Sequence, residues 1–399
     1  MYKKSANAKD VKKPLLVFMI LLMAPLAGIG IDLYTPSLPA ITSYFQTETS
    51  LVKLTLAVYL IGYAIGQPVM GTFSDCFGRK YPLFIGVLLY FLASLCAAFS
   101  PNIYILLIMR LIQGLGMSAP GTIGKAIITD TFPDHQLPKY ALYIATAWSI
   151  GPVIAPALGG YLQYYFGWQS AFYFLAGYGF IILMLIALTF NESNKKLHPL
   201  KIKAILRNYT TILADKRFIG YVLCMAILYS LLLVFNTLAP FLVQVDMQYS
   251  PIAYGHIALL LGLIYFFGNL VNRFLLHYLS AKKIFTISLY TSFVLSIVMV
   301  VISILFPLNI YAIVIPNAAL FFISCMIFAS SMGLAMGLFR EMAGTASAIM
   351  GFMFVLGTGL TSATVSLFHV KTQLPIALSY LVLLSLGIII KLTVLRSPQ

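Results

Sequence analysis

Long apolar runs alternate with short polar breaks along this chain, and each run is long enough to cross a bilayer as a helix. A spanning helix takes roughly 20 apolar residues. The pattern predicts twelve, at about 15–38, 52–74, 82–100, 103–126, 139–162, 169–190, 218–243, 252–273, 284–306, 309–335, 343–367 and 374–395. Most breaks are a few residues long. The exception is 191–217, which carries Lys195, Lys196, Lys201, Lys203, Arg207, Lys216 and Arg217. The expected fold class is therefore an all-α polytopic membrane protein. An N-terminal six-helix bundle occupies 1–190, a cytoplasmic linker 191–217 and a C-terminal six-helix bundle 218–399.

Composition agrees with the pattern. Of the 399 residues 61% are hydrophobic and 9% charged, against about 25% charged in a soluble domain. A net charge of +15 would suggest nucleic acid as partner in a soluble protein. Here the bases lie between apolar runs, so they report topology, and the lipid bilayer is the expected partner rather than nucleic acid. Bases stay on the cytoplasmic side. With the N-terminus inside, all 25 Lys and Arg fall on that side except Lys53, Lys371 and Arg110. Both termini and the central linker are then cytoplasmic. The basic start, Met1 to Lys13, followed by an apolar run to Ala24, resembles a signal peptide but lacks a small-residue cleavage site. It reads as a retained first helix.

The four cysteines, Cys76, Cys96, Cys224 and Cys325, show no paired spacing, and the five histidines are scattered. No disulfide framework, metal site or cofactor is expected. Gly62-xxx-Gly66 and Gly333-xxx-Gly337 are small-residue spacings that let helices approach closely. Gly121-Thr-Ile-Gly124-Lys125-Ala126 lacks the spacing of a nucleotide-binding loop, and no hydrolase or metalloprotease motif occurs. ATP-driven pumping and enzymatic activity are unsupported, which leaves secondary transport by two rocking halves.

Nine of the ten acids lie in tails, loops or helix ends; Asp32 alone lies well inside an apolar run. A charge there costs several kcal/mol or more and marks a functional candidate by default. Pro36 loosens the helix around it. The competing reading is that Asp32 caps that loosened turn or points into the outer aqueous rim. Arg110 is the base that matches it, and both lie roughly 10–12 Å below the outer surface at 1.5 Å per residue. Pairing or indirect coupling follows from equal depth. Helix movement that changes their distance or hydration would shift the balance between the charged and protonated acid. Arg110 has an alternative too, as a structural base bonded to backbone carbonyls. A third stretch, Trp148 to Gly160, holds Gly151, Pro152, Pro156, Gly159 and Gly160, costly in a helix interior. It predicts a kinked helix with a smooth face, a packing groove or a hinge.

Gly71-Thr-Phe-Ser-Asp75-Cys-Phe-Gly78-Arg79-Lys80 reads as a polar loop between the second and third spans. With it, Arg110-Leu-Ile-Gln113-Gly114-Leu-Gly116 and the Gly151-Pro152 to Gly159-Gly160 stretch resemble the signature loop, helix 4 motif and exporter helix 5 motif of the major facilitator superfamily. Asp32-Leu-Tyr34-Thr-Pro36-Ser-Leu-Pro39, Ala126-Ile-Ile-Thr-Asp130, Gly167-Trp168 and Gly344-Thr-Ala-Ser347-Ala resemble its twelve-helix drug:proton antiporters, the bicyclomycin-resistance (Bcr/CflA) group. The resemblance implies two six-helix bundles around a central cavity, with Asp32 binding the proton and Arg110 as its partner. It also implies that Asp75 docks at the start of helix 11, near Ala343 to Thr345, and stabilises an outward-facing state. Gly71, Asp75, Gly78, Arg79, Lys80, Gly151, Pro152, Pro156, Gly159 and Gly160 would form the conformational switch. Cys76 departs from the pattern, since the family usually has a base there.

Tyr34, Tyr59, Tyr63, Gln113, Met117, Trp148, Tyr229, Asn236 and Tyr265 are expected around the cavity. A mostly apolar, aromatic wall with few polar groups suits lipophilic or amphipathic molecules. The function expected from all this is a proton-coupled exporter of small molecules. It would work by alternating access in a bacterial inner membrane, as a monomer, with the proton as coupling ion. The alternatives are an exporter of an endogenous metabolite or siderophore, and a proton-coupled importer of the same fold. A membrane-embedded enzyme or sensor would need more polar groups converging in the bundle than Asp32 and Arg110.

Overall fold

The computed structural model describes residues 8–194, 202–339 and 342–395. Met1 to Asn7, the linker bases Lys195, Lys196 and Lys201, and Glu341 lie outside the described residues. Among the described residues every regular element is a helix, because a backbone in hydrocarbon must satisfy its own hydrogen bonds within the segment. Twelve helices are long and apolar enough to span a membrane. We number them α1 (Pro14–Phe45), α2 (Thr49–Phe77), α3 (Lys80–Ala98), α4 (Ile103–Thr131), α5 (Leu142–Phe166), α6 (Gln169–Thr189), α7 (Lys216–Asp246), α8 (Pro251–Leu275), α9 (Ala281–Leu305), α10 (Ile310–Leu338), α11 (Gly344–Ser366) and α12 (Leu374–Thr393).

Two departures from the expected boundaries matter. The polar stretch from Gly71 to Phe77 is helical, the last turns of α2, so the expected loop shrinks to Gly78 and Arg79. Gly78 has φ +89°, a conformation open to glycine and strained for other residues. The expected linker also contains a helix of its own, Ile202–Ala214. It packs against α7 and α11 and buries Ile212.

The buried side chains form two large cores. One joins α1 to α6 and takes in Tyr229, Leu233, Phe241 and Val355 from the second half. The other joins α7 to α12. The halves meet along α2 with α11 and α5 with α8. Proline and glycine shape these contacts. The helix runs unbroken through Pro152 and Pro156, and a Cβ at Gly159 would overlap the Leu33 carbonyl of α1. Gly62 and Gly66 lie against Leu111 and Ser118 of α4 in the same way. Gly333 and Gly337 do not pack: a Cβ at either, or at Gly344, meets nothing within 4 Å. All three lie near the turn between α10 and α11, at the end of the bundle that also holds the α2–α3 turn.

At the opposite end the halves are tied together. Gln244 Nε2 donates to the Pro36 carbonyl at 3.0 Å, Lys53 Nζ donates to the Phe368 carbonyl at 2.7 Å, and Tyr161 Oη lies 3.1 Å from His256 Nε2. The molecule is thus closed at this end.

Candidate functional site

α1 is broken where its acid sits. Its helical segment Leu26–Asp32 ends at Asp32 and gives way to a 3-10 turn, Thr35–Ser37, that contains Pro36. Thr35 Oγ1 donates to the Asp32 carbonyl at 2.8 Å, so a neighbouring hydroxyl covers the loosened backbone. The Asp32 carboxylate, 3% exposed, does not cap that turn. Its Oδ1 accepts a 2.7 Å hydrogen bond from Asn236 Nδ2 on α7, across the boundary between the halves.

Arg110 is not the partner of Asp32 here. It is fully buried within the first half. Its Nη1 donates to Gln113 Oε1 and its Nε to the Thr55 carbonyl at 3.4 Å. The guanidinium carbon lies 4.3 Å from the Tyr34 ring centroid and 4.2 Å from that of Tyr59, within cation–π range. Gln113 Nε2 in turn donates to Ser94 Oγ at 2.6 Å, and Tyr34 Oη lies 2.8 Å from Thr55 Oγ1. Tyr34 is two residues from Asp32 in sequence, and its ring stacks under the Arg110 guanidinium. The two residues of the expected pair thus have separate partners here.

A pocket between the halves holds Asp32, Trp148, Tyr229, Asn236 and Tyr265 in its wall, with Pro152 and Pro156 beside them. Tyr229 is its aromatic centre, with ring centroids 6.2 Å from Trp148, 6.1 Å from Phe328 and 5.6 Å from Phe354. Five residues expected in this wall stand elsewhere. Tyr34, Tyr59 and Gln113 surround Arg110, and Met117 is in the core of the first half. Tyr63 packs its hydroxyl over Gly121. Aromatic composition identifies such residues as buried and not as facing a cavity. Phe266 and Phe321 do line the pocket, and nothing in the sequence sets them apart from other apolar residues.

A second cluster closes the turn between α2 and α3. Arg79 forms ion pairs with Asp75 and with Asp130 Oδ2 at 2.8 Å, and its Nη1 donates to Ser74 Oγ at 2.9 Å. The backbone N–H groups of Arg79 and Lys80 donate to Glu192 Oε1 and Oε2 at 2.9 and 3.0 Å. Partial burial pushes the Glu192 carboxyl up, but these backbone hydrogen bonds outweigh it and hold the carboxyl below its ordinary value. Asp75 is thus engaged within its own half. Sequence reading missed Glu192, a lone acid after the sixth span. It also took Lys53 only as a base on the unexpected side.

The sequence profile of the Major Facilitator Superfamily matches residues 20–362. The chain belongs to this superfamily. One relative is the "Uncharacterized MFS-type transporter YdgK" of Bacillus subtilis, 30% identical over 90% of both chains. Another is the "Bicyclomycin resistance protein homolog" of Haemophilus influenzae, 27% identical over 89% of this chain and 90% of that one. Among solved structures, a D-xylose-proton symporter superimposes with TM-score 0.73 at 18% identity, covering 94% of this chain and 96% of the other. That likeness establishes the fold. The superfamily member described here is a multi-pass membrane transporter, similar to drug:proton antiporters.

Proposed function

We propose that the protein is a proton-coupled exporter of small lipophilic or amphipathic molecules, set in a bacterial inner membrane with both termini in the cytoplasm. The observation that carries this reading is the position of Asp32. It is a buried acid in the wall of the pocket between the halves, bonded to the opposite half. An acid so placed feels the contents of the pocket and the arrangement of the bundles together. The basic residues lie towards the end opposite the Gln244 and Lys53 ties, which supports a conformation closed to the outside. The exchange cycle starts there. Asp32 releases its proton inward, a substrate enters the pocket, and the halves rock to open outward. The substrate then leaves and Asp32 takes up an external proton. Asp75, now paired with Arg79, would dock at the N-terminal end of α11 in the outward-facing state, where the helix dipole favours an anion. The Trp148–Tyr229–Tyr265 aromatic wall supports apolar and cationic-aromatic substrates.

The test is purified protein in liposomes with an imposed pH gradient and a lipophilic cation, tetraphenylphosphonium, as first probe. Neutral aromatic drugs and siderophore-like acids follow. Gradient-driven accumulation of a probe with counterflow of protons supports the reading. Co-directional movement of probe and protons would make it an importer.

A further inference from the structure

The Asp32–Asn236 bond is built differently from the ties made by Gln244 and Lys53. Gln244 and Lys53 donate to backbone carbonyls, acceptors that never change charge. Asn236 donates to a carboxylate, 204 residues away in sequence, and both side chains line the substrate pocket. Asn236 itself is 9% exposed. The other ionisable groups around Asp32 are phenols: Tyr34 on α1, Tyr229 on α7 and Tyr254 on α8. Arg110 of α4 stands behind the Tyr34 ring and is bonded to Gln113. The amide of Asn236 is the side-chain donor that Asp32 uses.

A hydrogen bond to an ionised acceptor is roughly twice as strong as one between neutral groups. The bond is therefore strongest when Asp32 has lost its proton and the pocket is empty. A carrier in that state on the inner side must not open outward without a substrate. If it opened outward empty, Asp32 would take an external proton and carry it inward, and the gradient would drain without export.

We propose that Asn236 is a coupling residue: its bond to Asp32 holds the deprotonated, empty carrier inward-facing until a substrate entering the same pocket displaces it. This rests on the proton-exchange reading above.

The experiment measures proton flux into liposomes under an imposed pH gradient with no substrate present. It compares wild type, Asn236→Ala, Asn236→Leu and the double variant Asn236→Ala/Asp32→Asn. Losing a charge-assisted bond is expected to raise the substrate-free flux about tenfold in both single variants. The double variant should return to background, because the leak needs the carboxylate. Wild-type flux in both single variants would overturn the proposal, and so would a flux that persists in the double variant. A merely structural or ligand-binding role would lower transport without opening a leak. If the single variants do not fold, the wild type decides alone. Spin labels at the outer ends of α1 and α7 should report a larger closed fraction as pH rises, and a distance distribution independent of pH would overturn the proposal. Wild-type protein that exchanges no protons with any substrate would instead sink the exchange reading itself.

Discussion

The Lys53 ammonium of α2 reaches across the molecule and donates to the Phe368 carbonyl just past the end of α11, at 2.7 Å. Lys53 is 1% exposed, lies 5.1 Å from the Phe241 ring centroid, and has no carboxylate within ion-pair distance among the described residues. The carbonyls at a helix end favour a cation. A charge placed there joins the halves in the closed-outside state and has nothing equivalent to hold when they part. Lys53→Met keeps the aliphatic stem and removes the donor. A hydrogen bond to a charged group contributes about 1.5–3 kcal/mol, so the outward-open fraction should rise at least tenfold. Spin-label distances across the outer ends of α2 and α11 measure it, and an unchanged distribution would count against a latch at this position.

Arg110 is predicted to be irreplaceable by lysine. Its planar group engages Gln113, the Thr55 carbonyl and two tyrosine rings together, which a point charge on a flexible stem does not reproduce. Arg110→Lys should leave a folded protein whose transport falls at least tenfold. Arg110→Ala should unfold more readily, by about 1–3 kcal/mol, since it leaves the buried Gln113 amide oxygen unsatisfied and the rings without their partner. Thermal unfolding in detergent and initial transport rates separate the two effects.

Glu192 gives the α2–α3 turn a pH dependence. Its folded carboxyl lies below the ordinary value of 4.5. The stabilisation is therefore fully present above that value and is lost as pH falls through the depressed folded one. Wild type should lose thermal stability more steeply than Glu192→Gln between pH 5 and pH 3 (about one unit either side of the ordinary glutamate range). Parallel curves would show that the carboxylate adds nothing there.

Glycines at the two ends of the molecule should respond oppositely to alanine. Gly159→Ala forces α5 away from Leu33, next to the break that presents Asp32, and overpacking of this kind costs typically 1–3 kcal/mol. Gly333→Ala meets open space inside a helix and should raise stability by about 0.5–1 kcal/mol. Melting temperatures of the two variants, with transport rates alongside, test the asymmetry.

How far the sequence could be read depended on distance along the chain. Hydropathy located the spans, because bilayer thickness sets a length that a single run of residues must satisfy. It missed the true end of α2 at Phe77, since a polar face on a helix end looks like a loop. Asp32 stood out by itself, as a charge in an apolar run does. Its partner did not. Equal depth suggested Arg110, whereas the bond runs to Asn236, an amide of the other half expected only as part of the cavity wall. That wall was itself only partly legible. Trp148, Tyr229, Asn236 and Tyr265 face the pocket, while Tyr34 and Tyr59 serve Arg110. Which side of a buried helix faces a cavity is decided by tertiary packing, and neither composition nor periodicity encodes that when every face is apolar.

The most direct test of the account is proton release from purified protein in weakly buffered detergent on adding substrate, wild type against Asp32→Asn. Proton exchange at Asp32 predicts release from wild type at pH values where the acid is protonated, and none from Asp32→Asn although it still binds the substrate. Equal release from both, or binding to wild type with no release at any pH, would contradict the assignment of Asp32 as the coupling acid.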